Sequence, residues 1–295
     1  MNTPIYTGRY APSPTGPLHF GSLVAAVASF LDSRAHQGRW LLRMEDLDKP
    51  REMPGAADDI LRTLEAYGFE WDDKIIYQSE RHDVYQATLD QLIADDKVYS
   101  CNCSRREVAD IAHAGIEGPV YPGLCRDGLS RDRKTIAWRF KTDVAHLVFN
   151  DRIQGSIDHC MQRDIGDFVL KRADGQFAYQ LAVVVDDAEQ GITHVVRGAD
   201  LLNSTSRQLL LQYSLNLHSP VYAHIPIATN ERGEKLSKQT QAKALRVDNA
   251  ALMLTQAIQF LGLNPPDALA QLPLSDIWEW AYEHWQLEKV PQQSS

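Results

Sequence analysis

Apolar residues recur along the chain in short runs and helical patterns separated by proline and glycine, and these divide it into elements. Ile5 to Tyr10 reads as a strand, and Pro12, Pro14, Gly16 and Pro17 force a loop after it. Leu18 to His36 is predicted helical, with Gly38 as its stop signal. Trp40-Leu41-Leu42-Arg43-Met44 returns as a buried strand and runs into Glu45-Asp46-Leu47-Asp48. Strand, loop, helix and strand make a β-α-β unit, which predicts a parallel sheet with its ligand at the carboxyl ends of the strands. Ala56 to Tyr67, stopped by Gly68, and Val84 to Val98 are further amphipathic helices.

From Tyr99 the texture changes. Cysteine, glycine and arginine displace the periodic pattern, and short strands follow at Thr135 to Phe140, Leu147 to Phe149 and Gly155 to Ile157. This stretch, to about Arg163, reads as an insertion in a nucleotide-binding fold. The fold resumes with a strand at Phe168 to Arg172, a turn at Asp174-Gly175 and a long strand predicted from Gln176 to Val185. Thr193 to Arg197 is a strand, Leu201 to Asn216 a helix, and Val221 to Ile227 the last buried strand. Val247 to Leu287 is largely helical, divided at Pro265-Pro266, and the tail from Pro291 to Ser295 is expected to be disordered. The expected divisions are therefore 1–98 (first half of the nucleotide-binding fold), 99–163 (insertion), 164–240 (second half) and 241–295 (helical C-terminal region).

Composition narrows the class. A chain of 295 residues can bury a good core. The longest apolar run, Leu23 to Leu31, is too short to span a bilayer, and no signal peptide is evident, so no membrane association and a cytoplasmic location are expected. Four cysteines do not make a disulfide scaffold, and in a reducing compartment a tight cluster of them points to metal. The net charge of −9 argues weakly against nucleic acid, but a local patch matters more than the total. Arg105, Arg106, Arg126, Arg131, Arg133, Lys134, Arg139 and Lys141 share one stretch, as a solvated basic face or an RNA grip.

Two motifs carry the chemistry. Leu18-His19-Phe20-Gly21-Ser22 follows a proline-glycine loop and opens a helix, whose free N–H groups and positive end suit ATP phosphates. His19 is read as a hydrogen-bonding group rather than an acid or base, and Gly21 allows adenosine a close approach. Far along the chain, Glu234-Lys235-Leu236-Ser237-Lys238-Gln239 follows a buried strand and Asn230-Glu231-Arg232-Gly233. Lys235 and Lys238 bring mobile cations to a triphosphate, Lys238 being the first choice for stabilising transition-state charge. Separately, Cys101, Cys103 and Cys125 suit a structural tetrahedral zinc, with buried free thiols as the alternative. The spacing leaves the fourth ligand open: His113 is the usual chemistry, and the phenolate of Tyr121 a rare one. Cys160 falls outside the cluster.

Arg9 to Gly16, the Leu18-His19-x-Gly21 turn, Arg43 to Asp48, Tyr179 to Gly198 and Lys235-Leu236-Ser237-Lys238 together resemble the catalytic domain of class I glutamyl-tRNA synthetases. The likeness covers residues 5 to 240. The Cys-rich insertion, and a region of only residues 241–295 where those synthetases carry a long anticodon-binding domain, resemble their glutamyl-queuosine tRNA(Asp) synthetase paralogues. Two departures stand out: Ser22 replaces the last residue of the usual tetrad, and Val183 sits where many glutamyl-tRNA synthetases carry a polar side chain, so a modified glutamate pocket is expected.

The resemblance implies an α/β fold of the class I aminoacyl-tRNA synthetase type: a Rossmann-like parallel sheet, an inserted zinc-bearing α+β subdomain and a short helical C-terminal region. It implies Arg9 and Arg197 for the carboxylates of L-glutamate, Glu45 for its amino group, Tyr179 as a hydroxyl anchor and Ser13 beside the substrate. Arginine suits carboxylates because its planar fork binds them bidentately. Which arginine faces which carboxylate is open. Ala11, Pro12, His19, Gly21, Ser22 and Lys238 are expected at ATP, which brings Mg²⁺, and Tyr121 is chosen as the fourth zinc ligand. Asp186-Asp187 is read as structural or ribose-contacting rather than as a magnesium site. The implied activity is ATP-dependent activation of glutamate and its transfer to the queuosine base of tRNA(Asp), by a monomer. Its rivals are a compact glutamyl-tRNA synthetase charging a tRNA 3′ end and a non-catalytic RNA-binding module.

Overall fold

The structure, a computed structural model, describes residues 5–129, 136–229 and 243–293. The β-α-β unit is present as read. Strand β1 (Thr7–Tyr10) pairs in parallel with β2 (Arg39–Met44), Arg9 opposite Leu41, and helix α1 (Phe20–Ala35) crosses between them. A third parallel strand, β3 (Asp72–Tyr77), follows α2 (Ala56–Ala66) and pairs with β2. It escaped the sequence reading because Asp72-Asp73-Lys74 breaks any apolar run, and its residues are exposed or only half-buried.

Helix α3 (His82–Ala94) stops four residues short of Val98. Asp95-Asp96 favours a turn, Asp96 adopts the left-handed conformation (φ 53°), and the Lys97 N–H caps the Leu92 carbonyl. Val98 is then free to begin β4 (Val98–Cys101). Beyond it lie the short α4 (Arg105–Ile111), with a Ser104/Glu107 capping box, and a small hairpin of β5 (Ala114–Gly115) and β6 (Gly118–Pro119). Strand β7 (Ala137–Phe140) pairs antiparallel with β4 on one side and with β10 (Phe168–Lys171) on the other. Between β7 and β10 stand the hairpin β8 (His146–Asp151) and β9 (Gly155–Cys160), then the single turn α5 (Met161–Asp164).

The predicted strand from Gln176 to Val185 is instead a helix, α6 (Tyr179–Glu189). Leu181 to Asp187 are all buried, so no polar face betrays the helical period, and the Val183-Val184-Val185 run imitates a strand. The missed signal was Gly191, which at φ 65° ends the helix while the Ile192 N–H bonds back to the Asp187 carbonyl at 2.8 Å. Val183 is therefore a residue of the hydrophobic core and does not line the cleft described below, contrary to its expected part in the glutamate pocket.

Strand β11 (His194–Gly198) runs into a 3₁₀ turn at Ala199–Leu201, and α7 (Thr205–Ser214) starts four residues later and ends two residues earlier than the predicted helix. Strand β12 (Val221–Ile225) pairs in parallel with β11, placing His224 opposite Arg197. The Thr193 N–H donates to the Thr7 carbonyl at 2.9 Å and fixes this pair of strands beside β1. Helices α8 (Ala250–Phe260) and α9 (Leu274–His284) flank the proline pair as expected.

One core joins the parallel sheet, α1 and the two C-terminal helices. Phe30 of α1 is its pivot, with ring centroids 5.0 Å from Trp40, 5.3 Å from Phe69 and 5.1 Å from Trp278. Buried Asp32 adds polar ties to the Tyr6 hydroxyl, Arg152 and the Trp285 indole N–H. The end of the described chain is held as well. Gln293 Oε1 accepts the Ile227 N–H at 2.6 Å and the Gln293 N–H reaches Gln154, correcting the expectation of disorder for Pro291 to Gln293. Among the described residues no helix is long and apolar enough to cross a membrane.

Truncating Phe30 to alanine removes the ring that docks the C-terminal helices on α1. Phe30→Ala is expected to destabilise the fold by about 3–5 kcal/mol, read as a lowered midpoint in urea denaturation; a loss below about 1 kcal/mol would show that these helices dock independently of it.

Candidate functional site

A cleft of about 800 Å³ opens where the parallel strands end. Ala11, Pro12 and Ser13 leave β1, Glu45 follows β2, Gly198 ends β11, and Ile225 to Ala228 leave β12. The site thus occupies the carboxyl edge that a β-α-β architecture offers a ligand. Arg9, Tyr179, Arg197, His19, Gly21 and Ser22 line the same cleft. Every described residue expected to bind glutamate or ATP is brought together there.

His19 caps α1. Its backbone is extended (φ −123°), and its ring Nδ1 accepts the Ser22 N–H at 3.3 Å. With Nδ1 accepting, a neutral ring carries its proton on Nε2, a donor suited to phosphate beside the positive helix end. Lys235, Ser237 and Lys238 lie outside the described residues. Both stems of their segment are nevertheless fixed at this end of the cleft. Ile227 and Ala228 line it on the way out; on return the Leu245 N–H bonds the Leu18 carbonyl at 2.9 Å and Ala244 bridges to His19.

Arg9 and Glu45 of the cleft wall belong to a layer of charge that continues into the core and that the sequence reading saw only in part. Arg43, fully buried, lies 2.7 Å from Asp187, 3.6 Å from Glu45 and 3.8 Å from Asp186. Arg9 reaches the same Asp187 at 3.2 Å. Burial pushes the Asp187 carboxyl up, but Arg9 and Arg43 outweigh it and hold the group below the usual carboxylate range. Burial also raises the Glu45 carboxyl, against the pull of Arg43 and Arg9. Asp186 sits between Gln78, Arg81 and Tyr85 at 2.7–2.8 Å. Both aspartates therefore serve the packing of α6, as expected, although on a helix rather than at a strand end.

Arg197 differs from Arg9 and Arg43. Its Nε donates to His224 at 3.0 Å, Nη1 to the Tyr179 hydroxyl at 3.2 Å, and Nη2 to Thr205 at 2.8 Å and the Leu201 carbonyl at 3.3 Å. Among the described residues no carboxylate pairs with it. Burying a cation without an opposite charge is costly, and one on a cleft wall with neutral partners can receive an anion. Sequence reasoning missed its neighbours His224 and Thr205, and Asp151, which bonds His224 from behind; the His-Ile-Pro step at the end of a buried strand was the available signal.

In the insertion, the Sγ atoms of Cys101, Cys103 and Cys125 lie within 4.8 Å of one another, with Cys103 and Cys125 3.6 Å apart. Thiolates about 2.3 Å from one tetrahedral zinc stand roughly 3.8 Å apart, so the donor set fits that ion. The Tyr121 hydroxyl lies 3.4 Å from both Cys101 and Cys103, whereas His113 bonds the Arg163 carbonyl. Geometry thus favours tyrosine over histidine as the fourth neighbour. The basic stretch is partly consumed: Arg126 binds Asp167 and Asp143, Lys141 binds Asp96, and Arg139 stacks 3.9 Å over the Tyr121 ring. Arg105 and Arg106 are exposed, and Arg131, Arg133 and Lys134 lie outside the described residues.

Comparison with known proteins agrees with this geometry. The family model of the class I tRNA synthetases (E and Q), catalytic domain, matches residues 6–268. A glutamyl-Q tRNA(Asp) synthetase of Dechloromonas aromatica is 58% identical over 100% of this chain and 98% of its own length. The protein of the same name from Chromobacterium violaceum is 54% identical, over 99% and 97%. Among solved structures, a glutamate-tRNA synthetase of Elizabethkingia anophelis superposes with a TM-score of 0.80 at 25% identity, covering 99% of this chain and 68% of that one. A glutamate tRNA ligase of Elizabethkingia meningosepticum, in complex with its amino acid, gives 0.79 at 26%, over 98% and 67%.

Removing Arg43 leaves three buried carboxylates short of a partner. Arg43→Met is expected to cost about 3–5 kcal/mol, measured by urea denaturation at neutral pH. A carboxylate with a depressed folded-state pKa stabilises the fold above its ordinary pKa of about 4, and that contribution fades as pH falls through the depressed value. Loss of Arg43 raises the Asp187 pKa, so acid unfolding should begin at higher pH in the variant. An unmoved acid limb would contradict the assignment.

Proposed function

The chain belongs to the class I tRNA synthetases of the E and Q type, and on that footing we propose that it activates L-glutamate with ATP and transfers it to the queuosine base of tRNA(Asp). The observation that carries the activation step is one cleft uniting the His19 turn, both stems of the lysine segment and a buried arginine that, among the described residues, lacks a carboxylate. The acceptor rests on near full-length relatives of that name, 51–58% identical.

In the first step a glutamate carboxylate attacks the α-phosphorus of ATP and pyrophosphate departs. In the second, a hydroxyl of the queuosine ring attacks the mixed anhydride and AMP departs. No protein nucleophile is needed; orientation and charge stabilisation lower the barrier. Arg197 and Arg9 hold carboxylate oxygens, Glu45 the ammonium group, and Tyr179 and Ser13 complete the amino-acid pocket. His19 donates from Nε2 to phosphate, while Ala11, Pro12, Gly21 and Ser22 admit the nucleotide. Lys235 and Lys238 meet the departing pyrophosphate. Magnesium accompanying ATP offsets phosphate charge. Glutamine offers no second carboxylate, and a cation buried without one rejects it.

We also assign Cys101, Cys103, Cys125 and the Tyr121 hydroxyl to one structural zinc, which would tie β4 to the segment around Tyr121. Arg131 and Arg133, with Arg105 and Arg106, would grip the anticodon arm, since the wobble base must enter the cleft. The division at residues 98, 163 and 240, action as a monomer and a cytoplasmic setting belong to the same proposal.

Purified protein should exchange pyrophosphate into ATP with glutamate and no tRNA, and Lys238→Ala should slow that exchange by about 10²–10³-fold. Labelled glutamate should appear on tRNA(Asp) that carries queuosine and not on tRNA(Asp) that lacks it. Labelling confined to tRNA(Glu) would establish the rival acceptor, and no exchange at all would make the protein a binding module. For the metal, elemental analysis should give about one zinc per chain, lost in Cys125→Ser together with a drop of several degrees in Tm; a metal-free chain of equal stability would refute the assignment.

A further inference from the structure

We propose that His224, oriented by Asp151, is a positioning residue that aims Arg197 at the substrate carboxylate. The inference deepens the assignment of Arg197 to glutamate and rests on it. Arg197 and His224 are register partners on the adjacent parallel strands β11 and β12. Asp151 closes strand β8 and enters from the neighbouring hairpin.

The chemistry of the three groups fixes every proton. Asp151 Oδ1 accepts three backbone N–H groups, from Ile153 at 3.0 Å, Gln154 at 2.9 Å and His224 at 3.0 Å. Its other oxygen, Oδ2, lies 2.6 Å from His224 Nδ1. A carboxylate can only accept, so Nδ1 carries the imidazole proton. The lone pair is left on Nε2, where the Arg197 Nε–H arrives at 3.0 Å and the Thr205 hydroxyl stands at 3.2 Å. Burial lowers the His224 pKa to about 4, helped by Arg197 and opposed by Asp151, so the ring stays neutral and keeps that lone pair.

The arrangement balances Arg197 at one remove. Asp151 supplies the buried negative charge, but a neutral ring stands between it and the guanidinium. Had the carboxylate touched Arg197 directly, as Asp187 touches the fully buried Arg43, the guanidinium would already be engaged by an anion. The imidazole instead takes one N–H, fixes the plane of the fork, and leaves the charge for the substrate.

The Asp151→Asn variant isolates this role. The three N–H groups at Oδ1 dictate that the amide oxygen faces them, so its NH₂ must face His224 Nδ1. The imidazole proton then moves to Nε2 and confronts the Arg197 Nε–H, donor against donor. In ¹⁵N-histidine NMR spectra, His224 should be the Nδ1–H tautomer in the wild type and Nε2–H in the variant. Pyrophosphate exchange should show the glutamate KM raised about tenfold or more, with the ATP KM changed less than about twofold. Two further substitutions carry the test if Asp151→Asn does not fold. His224→Gln keeps an acceptor near Nε2 and should hold the glutamate KM within about threefold, whereas His224→Asn reaches only Asp151 and should raise it about tenfold. A wild-type Nε2–H tautomer, a switched tautomer with unchanged glutamate KM, or equal effects of the two His224 variants would overturn the proposal. Arg197→Gln separates the premise: if it leaves the glutamate KM unchanged, the carboxylate assignment itself fails; if it raises the KM while the tautomer switch does not, only the role of His224 fails.

Discussion

Arg197, a guanidinium buried with no carboxylate beside it among the described residues, is the constraint on which the proposed chemistry of this cleft depends. Enclosing an unpaired cation is costly, and a fold that retains one does so where an anion will arrive. Arg9 and Arg43 already share Asp187, and Glu45 leans on Arg43, so that layer is nearly closed upon itself. Among the described residues Arg197 has only neutral neighbours within bonding distance. The parallel pairing of β11 with β12 sets where its charge points, and the capped helix α1 sets where phosphate can lie. On the proposed assignment glutamate and ATP meet between two preorganised ends, which is what adenylate formation requires of a protein that supplies no nucleophile.

Much of this was legible in the amino-acid order, and the reasons differ by element. The first β-α-β unit announced itself through its proline-glycine loop and the helical pattern after it. The candidate site residues Arg9, Ala11, Pro12, Ser13, His19, Gly21, Ser22, Glu45, Tyr179 and Arg197 all reached the same cleft. Helix α6 did not announce itself, because burial on every side erases the contrast on which periodicity depends, and three consecutive valines favour the wrong answer. Strand β3 was hidden for the opposite reason, being too polar to stand out. The polar pair behind Arg197 was illegible in principle: Asp151 and His224 are far apart in sequence, and only the closure of the hairpin against β12 makes them neighbours.

The insertion and the cleft are mechanically linked. β7, inside the proposed insertion, is hydrogen-bonded to β10 outside it, and the β8–β9 hairpin places Asp151 against His224, the partner of Arg197. Gln154 of the same hairpin donates to the His224 carbonyl and accepts from Gln293 near the end of the chain. A segment proposed to hold the anticodon arm and a zinc ion thus also supplies part of the frame that orients Arg197. The C-terminal helices share the core of α1 rather than forming a separate lobe, leaving one compact unit to perform both half-reactions.

The most direct test of the central claim is a crystal structure of the protein with a nonhydrolysable glutamyl-adenylate analogue. A carboxylate oxygen of the glutamyl moiety should lie about 2.7–2.9 Å from a guanidinium nitrogen of Arg197, with the phosphate mimic beside His19 at the mouth of α1. An analogue bound with both carboxylate-equivalent groups away from Arg197, or with its phosphate mimic remote from that helix, would contradict the account.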